Sequence, residues 1–150
     1  MEVTAAQDVF NLQAFFMGCL VLIVCVVIHA LFVLLAVSKC KPNIKILMSE
    51  NKIFFSHLVF ILGIVILLTS HLLQIYVWGR ALHVYEVIGS LHNAMVYAGS
   101  TYTTVGFITD PLPTKWQLLS IIMAVSGLFT FGWSTAVVFI LSQALFPAEK

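Results

Sequence analysis

The sequence predicts an all-α membrane protein: three transmembrane helices and one re-entrant segment, a short helix followed by irregular backbone. Three observations predict it. Only 13 of the 150 residues are charged, 61% are hydrophobic, and the mean hydropathy is +1.08. The charges leave four uncharged runs, residues 9–38, 53–79, 87–109 and 116–148, of 30, 27, 23 and 33 residues. A hydrocarbon core of ~30 Å is crossed by ~20 apolar residues as helix, so each run is long enough. The third run, however, holds eight Ser, Thr, His or Asn residues and three glycines among its 23. Irregular, polar backbone is tolerated at membrane depth only where protein surrounds it, so this run is not expected to face lipid. The same composition excludes a soluble globular domain, and it excludes disorder, which needs low hydrophobicity and high charge.

The first run, Val9 to Ser38, is dense in Leu, Val, Ile and Phe. It is expected to end at Ser38-Lys39-Cys40-Lys41-Pro42, where proline stops a helix and lysines mark an interface. Met1 to Phe10 carries Glu2 and Asp8 and no basic region, so a retained anchor is expected rather than a cleaved signal peptide. The second run, Ile53 to Gly79, ends at Trp78-Gly79-Arg80, with Tyr76 and Trp78 expected at the headgroup level. In the third run, Ser90 is placed to cap a short helix from about Leu91 to Tyr102. The fourth run follows Lys115 with Trp116 as interface anchor. It reaches roughly 45 Å as helix, so tilt or projection beyond the core is expected.

The chain thus divides into residues 1–52, a helix with a loop, and residues 53–150. The loop 39–52 carries Lys39, Lys41, Lys45 and Lys52, whereas Arg80 and Lys115 alone flank the third run. The positive-inside rule puts that loop in the cytoplasm, the N-terminus outside and, with three spans, the C-terminus inside. A plasma membrane is expected, bacterial inner membrane first. Net charge +1 gives no electrostatic basis for nucleic-acid binding. Cys19, Cys25 and Cys40 show no paired spacing and are expected as free thiols.

The string Thr101-Tyr102-Thr103-Thr104-Val105-Gly106-Phe107 resembles the selectivity filter of the potassium channel superfamily, which reads Thr-Val-Gly-Tyr-Gly or Thr-Val-Gly-Phe-Gly. Asp110 and Pro113 follow it as in the family's outer mouth. Ser126-Gly127-Leu128-Phe129-Thr130-Phe131-Gly132 in the fourth run looks like the inner pore helix, with Gly127 at the hinge position. The resemblance covers roughly residues 53–145 as outer helix, pore helix, filter and inner helix; the first helix lies outside it and is expected at the periphery, against lipid and the second helix.

The resemblance implies a homotetrameric pore in the lipid bilayer that conducts cations passively, potassium first, and no enzymatic activity. Four loops surround one axis and their carbonyls replace the hydration shell of the ion. The implied filter residues are Thr103, Thr104, Val105, Gly106, Phe107 and Ile108. Backbone carbonyls of Thr104, Val105 and Gly106, with the Thr104 hydroxyl, would bind the monovalent cation, and no further cofactor is implied. Asp110 would form an acidic rim and Val105 would point into packing.

The chain departs from the family above Phe107, where Ile108-Thr109-Asp110 replaces Gly-Asp. A β-branched residue is strained at positive φ, so a different backbone path is expected there. A non-selective, divalent-preferring or non-conducting homologue is the alternative. The Glu that often braces the filter in bacterial members is Ser100 here. His29, His57 and His71 lie within apolar runs, where an ionisable side chain is a functional candidate. His57 and His71, 14 residues apart, share a helix face and form the remote alternative of a haem electron carrier; hydrogen bonding between helices is the simpler role. Ser120, Ala124, Gly127 and Ser134 recur at helical spacing as close-packing material. His83, His92 and Glu86 are expected as wet loop or rim groups. No Arg or Lys series of a voltage sensor is present in the runs.

Overall fold

A computed structural model describes residues 11–108 and 111–146. Four helices follow in order: α1 (Leu12–Ser49), α2 (Ile53–Val84), α3 (Leu91–Tyr102) and α4 (Leu118–Leu145), with a 3-10 turn at Thr114–Trp116 before α4. Among the described residues there is no strand. Leu12–Ser49, Ile53–Val84 and Thr114–Leu145 are long and apolar enough to cross a membrane. Leu20, Ile23, Val27, Leu31 and Leu34 of α1 form an outward apolar stripe, as on a helix that faces lipid.

Asn11 starts α1. Its Oδ1 accepts the Gln13 and Ala14 N–H groups at 3.0 and 3.3 Å, satisfying two of the donors a helix N-terminus leaves free. Its amide nitrogen donates to the Lys115 carbonyl at 2.9 Å, tying the start of α1 to the turn before α4.

Pro42 does not end α1, contrary to the sequence expectation; the helix continues through it to Ser49. Proline removes one ladder bond and crowds the preceding turn. The Asn43 side chain donates to the Lys39 carbonyl at 2.8 Å, one residue beyond the Ser38 carbonyl that the proline leaves without its donor. Packing holds the helix together through the proline. Cys40 and Ile44 on either side of the proline are buried in a cluster with Val137, Leu141 and Ala144 of α4. The expected 39–52 loop is therefore helix, and the connection to α2 is the short turn around Asn51. With 38 residues, α1 is roughly 57 Å long at ~1.5 Å per residue, so it projects well beyond a hydrocarbon core.

The second helix likewise passes its expected end and runs through Gly79 and Arg80 to Val84. Trp78 is not an interfacial ring: it is fully buried among Leu82, Ala94, Ala98 and Tyr102, and among the described residues its indole N–H has no partner. Trp116 is buried too, with the Lys115 ammonium 5.8 Å from its ring centroid.

The first helix lies along α2, as expected, and along α4 as well, while α3 packs against α2 and α4. Two apolar clusters result. One joins Ala14, Met17, Val21 and Cys25 to Trp78, Leu82, α3, Trp116, Leu119 and Met123. The other joins Val33, Ala36, Cys40 and Ile44 to Leu67, Val137, Leu141 and Leu145. In lipid such packing rests on close approach rather than on expulsion of water. Gly18 sits against Ile122, and Gly63 against Leu141 and Cys40, which is where the helix axes come near.

Candidate functional site

Ser90 caps α3 as the sequence predicts, its hydroxyl accepting from the Asn93 N–H at 3.4 Å, and the helix spans Leu91–Tyr102. The segment of interest, residues 103–108, leaves the C-terminal end of this helix. A helix C-terminus concentrates unpaired carbonyls and partial negative charge, which favours a cation beyond it.

Three non-glycine residues have positive φ among the described residues: Asn51 at 59°, Glu86 at 55° and Thr104 at 59°. Each directly follows a helix C-cap. After α1 the Asn51 and Lys52 N–H groups donate back to the Met48 and Leu47 carbonyls; after α2 the Glu86 and Val87 N–H groups donate to the His83 and Leu82 carbonyls. Each pair closes the helix end with a left-handed residue. After α3 the Thr104 N–H donates to the Thr101 carbonyl at 3.0 Å, but the second bond is displaced by one residue: the Gly106 N–H reaches the Ser100 carbonyl at 3.2 Å. Gly106 also has positive φ, 65°. Left-handed angles thus alternate at Thr104 and Gly106. The first is a β-branched residue in a strained region; the second is where only glycine is relaxed. Ile108 is not among the described residues with positive φ.

The polar groups of this segment are sorted by side. The Phe107 N–H donates to the Ser100 hydroxyl at 3.1 Å, so amides 104, 106 and 107 all point back to the last turns of α3. Ser100, in the position where a Glu was missed, is the acceptor for two of them. Among the described residues, the carbonyls of Thr103, Thr104, Val105, Gly106 and Phe107 accept no hydrogen bond. Carbonyls of this kind need another polar partner once they are shielded from water. The Thr103 hydroxyl donates to the Gly99 carbonyl at 2.7 Å, whereas Thr104 is exposed. Val105 and Phe107 are 67% and 64% exposed in the single chain, so Val105 finds no packing within it. Ile108 is half-buried and lines an open cleft of about 360 Å³ with Ser100, Thr101, Thr104, Gly106 and Ala124. Thr109 and Asp110, the expected rim, lie outside the described residues.

Gly127, the hinge expectation, is buried against the end of α3. A Cβ there would overlap the Tyr102 carbonyl and come within 3.2 Å of its ring. The glycine therefore admits the backbone of α3 to the surface of α4.

Behind the segment lies a buried polar layer between the two apolar clusters. His71 has Nδ1 2.8 Å from the Tyr102 hydroxyl and Nε2 2.9 Å from the Ser134 hydroxyl. The Tyr102 hydroxyl is also 2.7 Å from the Thr130 hydroxyl. Ser134 is 3.3 Å from His29 Nε2, and His29 Nδ1 is 2.7 Å from the Ser70 hydroxyl. Gln74 closes the layer, with its amide nitrogen 3.3 Å from both Ser70 and His29. The partners of the histidines are side chains of other helices. The sequence marked His29 and His71 but missed Ser70 and Gln74. A serine beside His71 and a glutamine one turn beyond it, both in an apolar run, were the available signal. For haem ligation the arrangement is poor: both ring nitrogens of His71 are engaged, and His57 Nδ1 is 2.8 Å from the Ile53 carbonyl of its own helix. Among the described residues no group of three or more His, Cys, Asp or Glu converges on a metal position. His83 Nδ1 is 3.4 Å from the Ile88 carbonyl, and His92 and Glu86 are exposed.

Comparison with protein-family models, with curated proteins and with solved structures finds no match.

Proposed function

We propose that the chain is one quarter of a pore-loop cation channel, with α3 as pore helix, residues 103–108 as filter, α4 as inner helix and potassium as the first permeant ion. The observation that carries this is the sorting of polar groups after α3. Amides 104, 106 and 107 are tied to one side while five successive carbonyls accept nothing among the described residues. Four such segments around an axis would supply rings of carbonyl oxygen that replace water around a dehydrated cation. The exposure of Val105 and Phe107 in one chain fits contact with neighbouring copies.

In this reading the 85–117 connection dips into the membrane and returns to the side it left. The bond from Asn11 to Lys115 supports it, because it brings the starts of α1 and α4 to one end of the bundle. The cluster of Ile44 with Leu145 brings their ends together at the other. The lysines of the Lys39–Lys52 region then face the cytoplasm, with the start of α1 outside and the end of α4 inside, in a plasma membrane. Above Phe107 the filter differs from the family. Left-handed angles at Thr104 and Gly106 but not at Ile108 favour a shortened set of rings, and so a pore whose discrimination for potassium is weakened.

The test is cation flux into liposomes holding the purified protein, with potassium, sodium and calcium compared, alongside its mass in detergent. A tetramer that passes potassium supports the proposal. A monomer or dimer, or a haem absorption band in the purified protein, would sink it.

A further inference from the structure

The buried layer behind α3 has a direction, and that direction follows from its two ends. At one end the Thr130 hydroxyl is 3.0 Å from the Ser126 carbonyl and 3.1 Å from the Gly127 carbonyl. Carbonyls only accept, so the Thr130 hydrogen is spent on them. Thr130 must then accept from the Tyr102 hydroxyl, and Tyr102 must accept from His71 Nδ1–H. A neutral imidazole carries one N–H, so His71 Nε2 is bare and accepts from the Ser134 hydroxyl. Ser134 in turn accepts from His29 Nε2–H, which leaves His29 Nδ1 bare to accept from Ser70. At the other end the Gln74 amide donates to the Ser70 carbonyl at 3.2 Å and to its hydroxyl at 3.3 Å.

Every link agrees with one sense, and no donor faces a donor. Ser70 and Ser134 fit this role because neither bonds a carbonyl of its own helix, whereas Thr69, Thr130 and Thr135 all do. The titratable groups facing the layer are His29 and Cys25 from α1, His71 from α2 and Tyr102 from α3; α4 contributes only hydroxyls and the rings of Phe131 and Trp133. The chain crosses all four helices and passes to its Thr130 end through Tyr102, the last residue of α3 and the one whose carbonyl meets Gly127.

We propose that His29 and His71 are positioning residues: through one unidirectional hydrogen-bonded chain, the first helix fixes the seat of Tyr102 and with it the segment 103–108. Buried hydrogen-bonded networks specify one arrangement, and a missing member leaves its neighbour unpaired in a medium without water; among the described residues the Gln74 side-chain oxygen is the one atom of this layer without a partner. The importance of the segment rests on the channel reading; the chain itself does not.

The experiment uses the full protein in lipid, labelled with nitrogen-15. The ring spectra are expected to show the proton on Nδ1 of His71 and on Nε2 of His29. The opposite tautomers, or an imidazolium at neutral pH, would overturn the chain. Ser134→Ala removes the link between the rings with almost no change in volume, and Ser134→Thr restores the hydroxyl. Amide exchange at Gly106 and Phe107 is expected to quicken about fivefold in the alanine variant, the scale of one net hydrogen bond, and to return in the threonine variant. Unchanged exchange in a folded Ser134→Ala protein overturns the positioning role whether or not the protein conducts. Where it conducts, the potassium-to-sodium flux ratio should fall in the same variant. A constant ratio with quickened exchange would remove selectivity from what the chain controls. Absence of flux in the unmodified protein would reject the channel reading and leave the two spectroscopic outcomes to decide the chain.

Discussion

Gly127 lies against the carbonyl of Tyr102 with no space for a Cβ between them. The close approach of α4 to the last turn of α3 depends on that missing atom, and the pair joins the two elements that frame residues 103–108. A glycine within a helix ordinarily costs ~0.5–1 kcal/mol relative to alanine, so Gly→Ala should stabilise on propensity alone. Here the sign should reverse. Gly127→Ala is expected to destabilise by about 1–3 kcal/mol, the range for overpacking a filled site. Gly132→Ala, where a Cβ meets nothing within 4 Å, should be neutral or stabilising. Unfolding of the two variants in detergent, followed by circular dichroism, measures the contrast. Equal stability would mean that α4 gives way at Gly127, as a hinge would.

Thr104 holds positive φ without being glycine. Its strain is of order 1–3 kcal/mol, as for other residues in sparsely populated regions. Thr104→Gly should therefore raise stability by about 1 kcal/mol, partly offset by the freedom glycine gains in the unfolded chain. The same change deletes the exposed hydroxyl proposed to line the pore, so potassium discrimination in the flux assay should fall. Stability and selectivity moving in opposite directions is the expected signature. A destabilised Thr104→Gly protein would argue against the left-handed angle.

The limits of α3 were legible because its signals are local: a serine cap, and a polar run that cannot face lipid. The end of α1 was not, because Pro42 obeys a local rule that packing overrides. Cys40 and Ile44 are buried against α4 on either side of it, and nothing near the proline in the sequence announces α4. Trp78 was misplaced for a similar reason. Beside Gly79 and Arg80 it looks interfacial, but α3 covers it. The histidine layer was half visible. Ionisable residues in apolar runs stand out, yet their partners lie 31 to 105 positions away, a pairing that only the packed helices define. The strained turn at Thr104 was hidden by the expectation that glycines carry such angles; Asn51, Glu86 and Thr104 do so because each terminates a helix.

Pro42 supplies a stability test for the first helix. Replacing it with alanine restores a ladder donor toward Ser38 and relieves the crowded turn. Proline in a helix interior costs ~3 kcal/mol or more, but packing of Cys40 and Ile44 against α4 offsets part of this. Pro42→Ala is therefore expected to stabilise by about 1–2 kcal/mol. Asn43→Ala, which strips the Lys39 carbonyl of its partner at 2.8 Å, should destabilise by about 1 kcal/mol. The pair is read by thermal unfolding in detergent.

Ile108 is the residue on which the proposed selectivity turns. It stands where the filter pattern that the sequence resembles has a second glycine, it is half-buried in the cleft beside Ser100 and Ala124, and unlike Gly106 it has no left-handed angle. Carbonyls of successive residues turn to one side when left-handed angles recur at alternate positions, and glycine is the residue that adopts such an angle without strain. Ile108→Gly should let the alternation begun at Thr104 and Gly106 continue by one step and add a ring of oxygen above Phe107. Potassium flux relative to sodium is expected to rise by about tenfold, the equivalent of ~1.4 kcal/mol, while Ile108→Val, still β-branched, should leave the ratio where it was. A gain in both variants would assign the effect to the size of the side chain in the cleft rather than to the backbone angle. No gain in either would mean that the path above Phe107 is fixed by Pro111 and Leu112, which line the neighbouring cleft with Ile108, and that the lost glycine does not set the discrimination of the pore.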